Sequence, residues 1–152
     1  MYNERRSNAD NAINSKAALA KMTYDEKCKV LAKMTYDEKC KVADFFLSEI
    51  IKLMNASGSF RVKLFAVAPL AKNAKGEYET LPQFEVATEN DSVRTMAEDF
   101  FSKQIWDSAV INILLRKAVT NSPKCDLTLE HHYSTETDVM VDREEYCIIS
   151  RK

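Results

Sequence analysis

The sequence is poor in the residues that build tight turns and specialised loops. It has two glycines and three prolines among 152 residues, which excludes a glycine-rich phosphate-binding loop. No apolar run approaches the roughly 18 residues of a membrane-spanning helix, and the first residues lack the apolar core of a secretory signal. These absences favour a cytoplasmic protein without a membrane partner.

The charge balance and the cysteine content exclude two further classes. The formal net charge is −1, so the chain as a whole has no attraction to nucleic acid or to an anionic membrane. The four cysteines, at positions 28, 40, 125 and 147, never have the spacing of two residues that zinc sites use. We therefore expect no disulfide framework, no metal and no cofactor, and we interpret the thiols as buried apolar groups.

The most distinctive feature that is present is a perfect tandem duplication of twelve residues. Segment 19–30 reads LAKMTYDEKCKV, and segment 31–42 repeats it without a change. We call these segments the first copy and the second copy. Identity over twelve neighbouring positions indicates a recent or an engineered event. Two such units are too few for a solenoid, which needs at least about three.

Each copy carries a signal for the start of a helix. In Thr-Tyr-Asp-Glu, the threonine hydroxyl accepts a bond from the N–H three residues on, and the glutamate reaches back to the threonine N–H. Helix starts are therefore predicted at Thr23 and Thr35. After the second start, apolar residues recur at helical spacing and predict a buried face: Tyr36, Cys40, Ala43, Leu47, Ile50 and Met54. Gly58 is expected to end this helix in a left-handed conformation.

The two copies cannot present the same face along one straight helix, because twelve residues make three turns and about 120° more. A separate apolar stripe starts in the first copy and continues into the beginning of the second, and it includes Tyr24, Cys28, Leu31 and Met34. Either the helix breaks near Thr35, or it runs on and the stripe meets another surface. A second subunit would suit such a stripe, so we predict a homo-oligomer interface there. The alternative is a solvated extra stretch of helix.

The rest of the chain predicts further strands and one more long helix. Segments 60–68 and 83–88 alternate apolar and polar residues like a hairpin, and their long connection has a turn at 73–76. A helix is expected from about residue 91 to Thr120, with a bend allowed at 102–104 and a stop at Asn121-Ser122-Pro123. Strands are expected at 125–133, 139–141 and 146–150.

These elements predict an α+β fold of order α(α)-β-β-α-β-β(-β). It has an antiparallel sheet of four or five strands with two long helices on one face. We expect a single domain, 1–152. An N-terminal arm or short helix (1–18) precedes the duplication (19–42), which extends or interrupts the N-terminal helix, and an α+β body (43–152) follows.

One histidine cluster, Glu130-His131-His132-Tyr133, offers candidate chemistry. Neighbouring strand residues point to opposite faces, so the two histidines cannot share one metal or one pocket. His132 with Glu130 could perform general acid-base catalysis. His131 and Tyr133 could line a pocket together with Trp106, and a Cys–His nucleophile would need Cys147 to meet His131 across neighbouring strands. The structural alternative is a hydrogen-bonded His131 and a solvated His132.

The lysines of the duplicated region suggest another function. Residues 1–42 hold nine Lys and Arg against six Asp and Glu, and with Arg61 and Lys63 they could contact phosphates. The acids alternate with the lysines, as they do on a solvated helix, so we rank nucleic-acid binding last.

We expect a non-enzymatic interaction or regulatory protein that self-associates through its helices or binds a protein partner. The alternatives are a small cytosolic enzyme or small-molecule binder with a pocket near His131 and Tyr133, and a nucleic-acid-binding accessory protein that uses the N-terminal lysines.

Overall fold

A computed structural model of the chain describes residues 22–133 and 145–151. In these ranges the helices are α1 (Tyr24–Lys33), α2 (Tyr36–Ala56), α3 (Asp91–Ser102) and α4 (Ser108–Cys125). The strands are β1 (Arg61–Phe65), β2 (Leu70–Lys72), β3 (Tyr78–Thr80), β4 (Phe84–Ala87), β5 (Leu127–Tyr133) and β6 (Glu145–Arg151). The predicted arm at 1–18 and the predicted strand at 139–141 lie outside the described residues.

Both predicted capping boxes are present. The Thr23 N–H donates to Glu26 Oε1 at 3.1 Å, and Thr23 Oγ1 accepts from the Glu26 N–H at 3.2 Å. The same two bonds join Thr35 and Glu38 at 3.0 and 3.2 Å. Met34, between the helices, has extended backbone. The chain therefore breaks its helix before the second copy's cap, because that cap satisfies the N–H groups of a new first turn.

α2 buries the face that its spacing predicted, and Ala43, Phe46, Leu47, Ile50, Leu53 and Met54 are all buried. Tyr36, at its first position, is instead 59% exposed. The expectation of a left-handed Gly58 was wrong, since Gly76 is the glycine with positive φ in the described chain. The cap is Ser57 in extended conformation. Ser57 is buried, and its hydroxyl lies 2.6 Å from Thr88 Oγ1. The helix therefore ends at a residue held by a side-chain contact, without a left-handed glycine.

The main sheet is antiparallel and has the order β4-β1-β6-β5. The predicted hairpin is β1 with β4, in which Val62 lies opposite Val86. The last strand, β6, inserts between β1 and β5 and brings Cys147 opposite Leu64. The first and the last strand of the described chain are thus neighbours in one sheet.

The connection between β1 and β4 forms a small sheet of its own, β2 with β3. Its turn is the predicted one: Asn73 Oδ1 accepts from the N–H groups of Lys75 and Glu77. Gly76 has a φ of 79°, which glycine adopts without steric cost.

The predicted single helix after residue 91 is two helices, α3 and α4. The chain leaves helical conformation between them, where buried Trp106 donates from Nε1 to the Phe65 carbonyl at 2.8 Å. Asp107 then starts α4, since its Oδ1 accepts from the Val110 N–H at 3.1 Å. The expected stop at Asn121-Ser122-Pro123 was also wrong. α4 runs to Cys125 and ends at Asp126, whose φ is 50°.

The core lies between the helices and the sheet. α2 packs against α4, and α4 packs against β5 and β6. At one end, Phe46 and Trp106 meet edge to face at 5.5 Å, and Phe101 lies 6.1 Å from Trp106. Helices packed on an antiparallel sheet confirm the predicted α+β class. Within the described ranges, no helix has both the length and the apolar character needed to cross a bilayer.

Candidate functional site

α1, which carries most of the first copy, packs against its own chain. Its Lys27 Nζ donates to the Ser102 carbonyl at 3.2 Å, at the end of α3. Of the four predicted interface residues, one is buried, Leu31, and three are half-buried, Tyr24, Cys28 and Met34. Their role in an interface between subunits stays a prediction.

A cavity of about 260 Å³ lies beside α1. Tyr24 and Lys27 belong to its lining, as do residues of the β3–β4 connection and of the segment that joins α3 to α4. Among the described residues that line it there is no carboxylate, and the larger side chains are mostly apolar: Leu81, Pro82, Phe84, Phe101 and Trp106. Sequence reasoning missed this cavity, because its walls come from segments far apart in the chain.

Burial changes the ionisation of the two α1 residues in the cavity wall. Desolvation, with the neighbouring Cys28, raises the pKa of Tyr24 to about 12, so its hydroxyl keeps its proton at neutral pH. Desolvation lowers the pKa of Lys27, because partial burial penalises the charged form. No carboxylate oxygen of the described residues lies within 4.0 Å of its ammonium group. Lys27 is therefore a half-buried cation without an acidic partner there.

The second copy places the same side chains in other surroundings. Tyr36, the equivalent of Tyr24, is 59% exposed, and its hydroxyl accepts from Arg116 Nη2 at 3.4 Å. Lys39, the equivalent of Lys27, pairs with Asp107 Oδ2 at 2.8 Å. The cavity is thus lined by the first copy and not by the second.

The histidine cluster on β5 is divided between the two faces of the sheet. On the helix side, His131 Nε2 lies 2.8 Å from Glu145 Oε2, and its ring lies 5.1 Å from that of Tyr133. Both members of the His131–Glu145 pair are largely covered, with 27% and 20% of their side chains exposed. The sequence did not indicate Glu145, because only the register of β5 with β6 brings it to His131.

On the outer face, His132 lies beside Glu130. Their closest side-chain atoms are 3.9 Å apart, and each side chain is 51% exposed. That distance is too long for a hydrogen bond, so Glu130 does not orient His132 as a general base requires. The His132 ring instead stacks on Tyr146 at 4.7 Å, and Lys63 Nζ lies 4.1 Å above the same tyrosine ring.

Cys147 lies directly opposite His131 in the strand register. It is fully buried, and this burial raises the pKa of its thiol to about 12. A nucleophilic cysteine needs a lowered pKa, and His131 Nε2 is occupied by Glu145. The pair therefore lacks the activation that catalysis requires. The side chain of Cys125 lies outside the described part of the structure.

Trp106 and His131 do not meet in one pocket. Trp106 lines the cavity beside α1, whereas His131 borders a groove of about 840 Å³ between α4 and β5. The groove also includes Arg116, Val119 and Glu130. The two sites are separate because the break between α3 and α4 holds Trp106 at the Phe65 carbonyl.

Neither metal geometry nor similarity to known proteins assigns a function to these sites. In ranges 22–133 and 145–151, no group of three or more His, Cys, Asp or Glu side chains is arranged to hold a metal ion. No protein-family model matches the chain, and comparisons with curated proteins and with solved structures found no significant match.

Proposed function

We propose that this chain is a non-enzymatic interaction protein that pairs with a second copy of itself along β5. The proposal depends on one observation: β5 is the terminal strand of the main sheet and, among the described strands, pairs with β6 alone. Such an edge presents a row of backbone N–H and C=O groups to a further strand. Strand addition at an edge is a common mode of protein recognition.

The sequence of β5 lacks two of the devices that protect an edge. Segment 127–133 contains no lysine and no proline, two residues by which natural proteins prevent edge pairing. At its end, Tyr133 is 62% exposed, and across the adjoining groove Val119 of α4 is 61% exposed. The proposed contact therefore includes a face of α4 as well as the strand. The sequence analysis expected self-association through helices, and the proposal retains a helix in the contact.

One antiparallel register of two β5 strands brings complementary side chains together. A two-fold axis through His131 places Glu130 opposite His132 of the partner subunit, and the same pair recurs on the other side of the axis. It also places Leu129 opposite Tyr133 of the partner subunit. An axis through Glu130 would instead place two carboxylates face to face. The axis through His131 places two imidazole rings face to face, but each ring is already held by Glu145 of its own chain at 2.8 Å. Carboxylate–imidazole and apolar–aromatic pairs across strands contribute about 0.2–1 kcal/mol each, so the register through His131 is favoured.

We further propose a reducing, cytoplasmic location. The described cysteines, Cys28, Cys40 and Cys147, are all unpaired thiols. Thiols persist in the cytosol, whereas oxidising compartments favour disulfides.

The proposal is tested by light scattering after size-exclusion chromatography. The native chain is expected to form a dimer. Glu130→Lys alone removes the carboxylate from both pairs, and His132→Glu alone places two carboxylates face to face in both pairs, so each variant is expected to be mostly monomeric. An equimolar mixture of the two variants again places a carboxylate in each pair, opposite the new lysine on one side and opposite His132 on the other, and is expected to form a heterodimer.

Glu85→Lys, on the exposed face of the opposite edge strand β4, is the matched control. It makes the same change in net charge and should leave the native dimer intact. A native chain that stays monomeric at all concentrations, or variants that dimerise as well as the native chain, would refute the pairing. Thermal unfolding of each variant confirms that the chains are folded.

A further inference from the structure

We propose that the cavity beside α1 binds a small organic carboxylate, with the carboxylate on Lys27 and the apolar body against Trp106. The cavity is separate from the β5 edge and shares no residue with it. This site is therefore independent of the proposed self-association.

The charge of the ligand follows from the surroundings of Lys27. Its ammonium group donates to a neutral backbone carbonyl, that of Ser102, and no carboxylate of the described residues lines the cavity. A partly buried charge is costly unless it is paired. A single cation in this setting suits a monoanion, because a dianion would leave one charge without a partner.

The size and lining of the cavity limit the rest of the ligand. A volume of about 260 Å³ lies just below the roughly 300–1,000 Å³ that is typical of small-molecule sites. Leu81, Pro82 and Phe84, together with the largely covered rings of Phe101 and Trp106, suit an apolar body. The Gln104 amide adds a hydrogen-bond donor to the lining. A molecule the size of benzoate or hexanoate meets these conditions.

The duplication is what supplies the two polar α1 residues of this site. In the second copy, Tyr36 is exposed and Lys39 is already paired with Asp107. The same twelve residues thus form a ligand-facing wall in one position and an ordinary helix start in the other.

The fluorescence of Trp106, the single tryptophan in the sequence, reports directly on binding. Acetate, hexanoate and benzoate are titrated into the full chain, with benzamide as the neutral counterpart of benzoate. At least one carboxylate is expected to give a saturable change, and benzamide is expected to bind at least about tenfold more weakly, as loss of a charge-assisted bond predicts. Absence of a saturable change with all three carboxylates would overturn the proposal.

Matched lysine variants locate the site. Lys27→Met is expected to weaken carboxylate binding about tenfold or more, and Lys27→Arg should retain most of it. Lys29→Met, on the exposed side of the same helix, should bind as the native chain does. Equal affinity of Lys27→Met and the native chain, with both folded by thermal unfolding, would refute the role of Lys27 even if a carboxylate binds.

Discussion

The two copies of the repeat have the same sequence, the same capping boxes and different neighbours. Thr23 and Thr35 each begin a helix with the same pair of hydrogen bonds. Beyond that start the copies diverge, since Tyr24 lines a cavity whereas Tyr36 is 59% exposed. Local sequence therefore sets where a helix begins, and the surrounding chain decides what its side chains contact.

The equivalent lysines of the two copies, Lys27 and Lys39, contact neighbouring parts of the chain. Lys27 donates to the Ser102 carbonyl, and Lys39 pairs with Asp107. Ser102 and Asp107 flank the short connection between α3 and α4, so both copies contact the same segment. Twelve residues do not make a whole number of helical turns, so one straight helix would point the two copies in different directions. The break at Met34 allows both lysines to contact the same segment.

Among the changes that test this difference between the copies, removal of one copy is expected to have the largest effect on the protein. A chain without residues 31–42 keeps one capping box, which runs directly into Ala43 and so takes the place of the second copy. Ala12, Ser15 and Lys16 would then fall at the positions of Tyr24, Lys27 and Cys28. We expect complete loss of the carboxylate response and a red shift of Trp106 emission, because the cavity wall is gone.

The matched control for that deletion is the double variant Tyr24→Ala, Lys27→Ser in the full-length chain. It reproduces two of the substitutions without shortening the chain and should lose the carboxylate response to the same extent. A deletion chain that still responds to carboxylates as the native chain does would contradict the assignment of the cavity to the first copy.

The helix caps are expected to give a smaller difference between the copies. Thr35→Ala should lower the free energy of unfolding by about 1 kcal/mol, as loss of a threonine cap does. Thr23→Ala should cost less, because α1 buries one residue, Leu31, and can fray without opening the core, whereas α2 carries six buried residues. Urea unfolding of both variants measures the difference, and a larger loss for Thr23→Ala would reverse our view of which copy supports the core.

Much of the fold could be predicted because it depends on short-range signals. The capping boxes, the alternation along β5 and the turn at Asn73 each involve residues within a few positions of one another. The sequence allowed a bend at 102–104 but predicted one helix and not two, since the break between α3 and α4 depends on the bond from Trp106 Nε1 to a carbonyl 41 residues away.

The candidate sites were predicted less well than the fold, for the same reason. Glu145 reaches His131 only through the pairing of β5 with β6, and sequence spacing suggested Glu130 and His132 instead. The cavity needs Tyr24, Trp106 and the β3–β4 connection at once. Chemistry that depends on several distant segments leaves no local pattern in the sequence.

The smallest expected effect is a difference in stability at alkaline pH. The pKa of Tyr24 is raised in the folded chain to about 12 from 10.0, so the unfolded chain loses this proton first as the pH rises. The stability linked to Tyr24 is therefore complete below about pH 10 and declines between about pH 10 and 12. Tyr24→Phe should lose less stability than the native chain over this range in urea unfolding, and Tyr36→Phe is the matched control. An equal loss of stability in Tyr24→Phe and the native chain would show that Tyr24 makes no such contribution.

The most direct test of the central difference between the copies is the ultraviolet titration of tyrosine ionisation in the native chain, Tyr24→Phe and Tyr36→Phe. The native chain should show a tyrosine that ionises near pH 12. Tyr24→Phe should remove that late transition, and Tyr36→Phe should leave it in place. Survival of the late transition in Tyr24→Phe, or its loss in Tyr36→Phe, would contradict the distinct environments of the two identical segments.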